Sequence, residues 1–150
     1  MRQMIFVAAA ALAACAPQAG DEPRLAPVAN GAVAAPVPGD VSVRISAAQD
    51  GQSVEVAVGQ RFAVELVGVP TAGYVWTVAQ APAFLARAGE ASGNTSQAQS
   101  QPGFVGGNHW EVLMFSATEA GSGELVLEQR RPWESSEPAN AVFRVTIVAR

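Results

Sequence analysis

From Val41 onward, apolar residues return at every second position in short runs cut by turn residues. Val41, Val43 and Ile45 alternate with Ser42, Arg44 and Ser46. Val54, Val56 and Val58 share one face, and Phe62, Val64 and Leu66 stand opposite Ala63, Glu65 and Val67. Near the C-terminus, Leu125 and Leu127 point away from Glu124 and Glu128, and Phe143, Val145 and Ile147 alternate with Arg144, Thr146 and Val148. A period of two marks strands with one face in a core and the other in water. Asp50-Gly51, Val58-Gly59-Gln60 and Gly121-Ser122-Gly123 supply turn chemistry between the runs. Trp110 to Phe115 is apolar except for Glu111, which suggests a strand buried on more than one side or carrying a bulge. Tyr74 and Trp76 share a strand face, with Trp76 expected in the core. Pro82 to Leu85 reads as a short helical or irregular turn. The polar, low-complexity stretch Ala88 to Gln101 reads as a mobile connection without chemistry of its own. Seven or eight short strands after residue 40 predict an all-β fold, an immunoglobulin-like antiparallel β-sandwich over residues 41–150.

The N-terminus reads as a targeting segment. Arg2 is a minimal positive region, and the apolar run from Met4 to Leu12 falls short of the roughly 20 residues that span a bilayer. It ends in Leu12-Ala13-Ala14-Cys15, which looks like the lipobox of a bacterial lipoprotein. Residues 1–14 are then the signal peptide, and Cys15, the only cysteine, takes a thioether-linked lipid. Ala16, rather than aspartate, follows the lipid site. By analogy with lipoprotein sorting, this favours outer-membrane anchoring facing the periplasm. Residues 15–40, rich in Ala and Pro, read as an extended tether to the domain. With no second cysteine there is no intrachain disulfide, so packing alone must hold an exported domain together.

Nine arginines stand against 13 acidic residues, for a formal charge of −4. The arginines are scattered, with Arg130-Arg131 the only adjacent pair, so no basic stripe for nucleic acid exists. One histidine, His109, and one cysteine at the lipid site make neither a catalytic triad nor a zinc site. No catalytic residue, metal or cofactor is expected.

Three segments between strand runs stand out. In Val69-Pro70-Thr71-Ala72-Gly73-Tyr74, Pro70 fixes φ at the turn entry and Gly73 permits a left-handed exit, leaving Thr71 and Ala72 displayed at the tip. In Phe104-Val105-Gly106-Gly107, the glycine pair lets backbone amides approach another surface closely. In Arg131-Pro132-Trp133, a rigid proline holds an aromatic ring in a loop. Trp and Arg are the residue types most enriched at binding hot spots. Taken singly, each is equally readable as an ordinary turn or, for Trp133, as a locally packed ring.

In order and spacing the three segments resemble the chagasin-like inhibitors of papain-type cysteine peptidases, whose motifs are Asn-Pro-Thr-Thr-Gly followed by Tyr or Phe, Gly-x-Gly-Gly, and Arg-Pro-Trp. The chain matches at Pro70, Thr71, Gly73, Tyr74, Gly106, Gly107, Arg131, Pro132 and Trp133. It departs at Val69, Ala72 and Phe104, losing a capping amide, a tip hydroxyl and a glycine. The resemblance implies a papain-like cysteine peptidase as partner and a reversible, non-covalent wedge. The Thr71 loop enters the active-site cleft, while the Gly106-Gly107 and Trp133 loops straddle it. A monomer is expected. The alternative from another class is an immunoglobulin-like adhesion or envelope-assembly module that grips glycan or protein through Trp133 or Trp110.

Overall fold

A computed structural model describes residues 31–150. Eight strands run in chain order: β1 (Val41–Ser46), β2 (Ser53–Val56), β3 (Arg61–Gly68), β4 (Val75–Gln80), β5 (Leu85–Asn94), β6 (His109–Ala117), β7 (Gly121–Arg130) and β8 (Ala141–Ala149). They form two four-stranded sheets, β1-β3-β6-β5 and β2-β8-β7-β4. The all-β sandwich expected from the alternation is therefore present. Each sheet adds one parallel pairing to its antiparallel ladders, β1 with β3 and β2 with β8. Parallel neighbours need a long crossover. Here the chain leaves the first sheet after β1, contributes β2 to the second, and returns as β3.

The inward faces meet in one core. Phe62, Val64 and Leu66 pack with Leu113, Phe115, Leu125, Leu127, Phe143, Val145 and Ile147, all at most 5% exposed. The Phe62 and Phe115 rings stack with centroids 5.6 Å apart. Full burial of each such side chain stabilises the fold by about 1.5–3 kcal/mol.

A second, smaller cluster lies on the outer face of the first sheet. Ala63, Val112 and Met114 are buried there, with Trp110 and Ala91 packed around them. The apolar run 112–115 of β6 is thus explained: Leu113 and Phe115 face the main core, while Val112 and Met114 face this outer cluster. Its cover is the segment 31–40, which the composition alone read as the end of the tether. Ala35 is buried in the cluster, with Val37 beside it.

Two sequence expectations are corrected. The stretch Ala88 to Gln101 is not a mobile connection. It holds most of β5 and a 3-10 turn at Gln97–Ser100. A bulge between Arg87 and Gly89 breaks the register of β5, and Ala, Gly and Ser at a sheet edge carry little apolar signal. Gly121 and Gly123 are not the turn but the start of β7. A Cβ at Gly121 would lie 2.7 Å from the Phe84 ring and one at Gly123 2.8 Å from Pro82. These glycines make room for Phe84 and Pro82 to close the far end of the sandwich.

Candidate functional site

Sheet register places all three loops at one end of the molecule. Gly68 at the end of β3 and Asn94 at the end of β5 both pair with His109 at the start of β6. On the other sheet, Val75 at the start of β4 pairs with Arg130 at the end of β7. Residues 69–74, 95–108 and 131–140 therefore emerge side by side.

The first loop is a tight turn. Pro70–Ala72 forms a single 3-10 turn, and the backbones of Val69 and Tyr74 bond to each other across its base. Pro70, Thr71 and Ala72 are exposed, and Gly73 closes the turn at φ 83°. An L-residue adopts that left-handed conformation at a cost of about 1–2 kcal/mol.

The third loop locks onto the first. Arg131 Nε–H donates to the Ala72 carbonyl at 2.9 Å, and its guanidinium lies 4.6 Å from the centre of the Tyr74 ring. Glu134 holds the same guanidinium at 3.1 Å. The Trp133 ring rests against Gly73, where any Cβ would collide with it. Trp133 nevertheless remains 69% exposed. It is neither a core residue nor a free one: an edge of the ring is seated while much of it faces solvent. Glycine at position 73 thus serves twice, for the turn and for the tryptophan seat.

Beneath these loops the two sheets are tied by polar bonds. The Val67 carbonyl of β3 accepts from the Trp76 indole at 3.0 Å and from the buried Gln129 amide at 3.2 Å. Gln129 Oε1 in turn accepts from Asn140 at 2.7 Å, which gathers the end of the third loop. Trp76 packs against the main core, as its strand position predicted.

The glycine loop is built differently. Gly106 and Gly107 are exposed, with φ of 81° and 100°. The Gln99 side chain laces the loop internally. Its Oε1 accepts from the backbone N–H groups of Thr95 and Ser96, and its Nε2 donates to the Asn108 carbonyl at 2.7 Å. Val105, at the tip, is 90% exposed.

Sequence reasoning missed the part played by Glu111. Its side chain crosses from β6 to accept the Trp76 backbone N–H at 2.7 Å, in space that any side chain at Gly68 would fill. Burial holds this carboxyl above its ordinary value of 4.5, against the opposing effects of the Trp76 bond and of His109. A cleft of about 490 Å³ opens between the β4 and β5 edges beside it, lined by Pro70, Trp76, Ala91, His109 and Leu113. The available signal was a lone acid in an otherwise apolar strand. Among the described residues, no group of His, Cys, Asp and Glu is arranged to hold a metal. Cys15 and the signal segment lie outside the described residues.

The sequence profile of the chagasin family peptidase inhibitors, I42, matches residues 55–147, which include all three loops. The chain belongs to that family. It is therefore a peptidase inhibitor and not an enzyme. Among solved structures, the inhibitor is similar to a cysteine protease inhibitor, EhICP2, from Entamoeba histolytica, at a TM-score of 0.61 and 16% identity over 72% of this chain and 96% of that one. It is also similar to amebosin, at 0.57 and 24% identity, over 72% and 97% of the respective chains. A third likeness, to PbICP-C in a complex with falcipain-2, has a TM-score of 0.45 and 16% identity over 74% and 92%. At these identities the first two structures bear on the fold, which they share with this chain. No curated protein matches significantly in sequence.

Proposed function

We propose that the inhibitor acts on papain-like cysteine peptidases, reversibly and without covalent chemistry, through the three loops at one end of the sandwich. The observation that carries this reading is the joint construction of the first and third loops. Arg131 binds the Ala72 carbonyl and Trp133 sits on Gly73, so the Thr71 tip is presented with little freedom left to lose. Preorganisation of this kind lowers the entropic cost of binding. Thr71 stands nearest the partner's thiolate and imidazolium, with the Gly106-Gly107 backbone on one flank and Trp133 on the other. A peptidase cleaves a strand whose scissile carbonyl it can align with its nucleophile. The 3-10 turn at Pro70–Ala72 does not present one. Three such loops suffice for a standard interface of about 1,600 Å² in total.

The lipobox at Leu12 to Cys15 supports a lipid-anchored, exported inhibitor, and Ala16 after the lipid site favours the outer membrane, facing the periplasm. Replacing Cys15 with Ser then releases the protein from the membrane fraction and abolishes palmitate labelling. Retention of either in the variant overturns the anchor. Family membership disfavours the adhesion-module alternative. The functional test is a titration of the protein against a papain-like peptidase, with a serine peptidase as control. Stoichiometric, dilution-reversible loss of the cysteine peptidase activity alone is expected. Equal inhibition of both, or of neither, contradicts the proposal.

A further inference from the structure

Residues 31–40 precede the family match at residues 55–147, yet they are bound to the domain at a particular place. The Gly31 carbonyl accepts from Gln97 N–H at 3.0 Å, and Val33 N–H donates to the Thr95 carbonyl at 2.9 Å. Ala32 pairs with Ser96 in an antiparallel bridge. The Val33 carbonyl accepts the Trp110 indole N–H at 2.6 Å. Farther along, Pro36 lies over Gly93, where an added Cβ would come within 3.2 Å of its ring, and Ala35 is buried on the outer cluster with Val112 and Met114. Thr95, Ser96 and Gln97 open the glycine loop, and Trp110 lies just beyond its close. The segment therefore bonds to both roots of that loop, and among the described residues no hydrogen bond joins it to either of the other two.

We infer that residues 31–40 are a strap that preorganises the glycine loop, which makes Trp110 and Val33 positioning residues for inhibition. This rests on the three-loop reading of function. The physical reason is the weakness of the loop's own support. Gly106 and Gly107 lose more conformational freedom on ordering than any other residue type. Gln99 laces the loop, but its partners Thr95 and Ser96 lie at the end of an edge strand. The strap adds backbone bonds there and covers the apolar face behind them. Without it the loop samples more conformations, and the peptidase must order it at the expense of affinity. Gly31, where the described residues begin, is bonded to Gln97 at the loop end of the domain.

The test uses the full-length chain. Trp110→Phe deletes the indole donor to Val33 and keeps the ring's bulk. Val33→Pro deletes the donor to Thr95. The double variant is expected to speed amide exchange at Gln97 and through residues 103–108, while Ala72, Gly73 and Tyr74 exchange as in wild type. Inhibition should weaken about fivefold to tenfold, chiefly through a lower association rate. A disulfide between Ala32→Cys and Ser96→Cys, added to the double variant, should recover both readouts, and unchanged exchange at Ala72, Gly73 and Tyr74 in the double variant separates the strap from a general loss of stability. Unchanged loop exchange in the double variant overturns the strap, as does faster loop exchange with undiminished inhibition. If wild type inhibits no cysteine peptidase, the functional reading fails and this role for the strap falls with it. The exchange data still report whether the segment orders the loop.

Discussion

The turn at Pro70–Ala72 is held by the loop beside it, whereas the glycine loop is held from behind. Arg131 and Trp133, just past the β7 strand that pairs with β4, bind the first turn directly, and the two form one body. The glycine loop is laced by Gln99 from within and by residues 31–33 from outside. Affinity is accordingly vulnerable in different ways at the two sites. The paired loops fail together when one contact is lost. The glycine loop loosens gradually and leaves the other two in place.

The largest expected effect comes from Gly73→Val. The left-handed φ and the seat of the Trp133 ring are lost together, for about 3 kcal/mol or some 100-fold in the inhibition constant. Inhibition kinetics beside a melting curve check it, since most of the loss should appear in binding. Trp133→Ala is next. It should weaken inhibition by about 2 kcal/mol, near 30-fold, with melting temperature little changed because the ring is mostly exposed. A large drop in melting temperature with intact inhibition would make Trp133 a stability residue. Arg131→Ala should cost about tenfold, and the Arg131→Ala and Trp133→Ala effects should be non-additive, because both act on one turn. Gln99→Ala should cost about fivefold and be additive with Trp133→Ala. Additivity in the first pair, or strong coupling in the second, breaks the distinction between the two loop constructions.

The smallest effect concerns Glu111 and stability. Its folded pKa is raised, so its contribution to folding is fully present below the ordinary value of 4.5 and is lost as pH rises through the folded value. At neutral pH its ionisation therefore opposes folding. Glu111→Gln keeps an acceptor for the Trp76 N–H and should melt slightly higher than wild type at pH 7. That gap should close as pH falls towards 4.5. A constant difference across this range would assign Glu111 a purely neutral hydrogen-bonding role.

The strands and the three loops were legible because period-two alternation and Pro/Gly punctuation are local signals. Trp76 was placed correctly by the same logic, and the doubly buried face of β6 was visible as an unbroken apolar run. What stayed hidden depends on partners distant in sequence. The bulge at Ala88 shifts the period of β5 and hides its few apolar contacts. Gly121 and Gly123 resemble turn residues, yet their lack of a Cβ accommodates Phe84 and Pro82. The segment 31–40 is Ala/Pro-rich with no strand period, so its burial against Val112 could not be read locally. Val69, Ala72 and Phe104 depart from the family motifs, and the first turn still closes through the backbone bonds between Val69 and Tyr74.

Entry of the Pro70–Ala72 turn into the partner's active-site cleft is tested by Thr71→Glu. The turn is fixed by Pro70 and Gly73, and Thr71 is exposed, so folding should be untouched. In the complex a carboxylate would be driven into a desolvated cleft beside a thiolate, an unpaired buried charge that costs several kcal/mol. The measurement is the equilibrium inhibition constant against a papain-like peptidase, with the melting temperature taken alongside. An unchanged melting temperature and well over tenfold weaker inhibition are expected. A Thr71→Glu protein that inhibits as well as wild type would show that this turn stays outside the cleft.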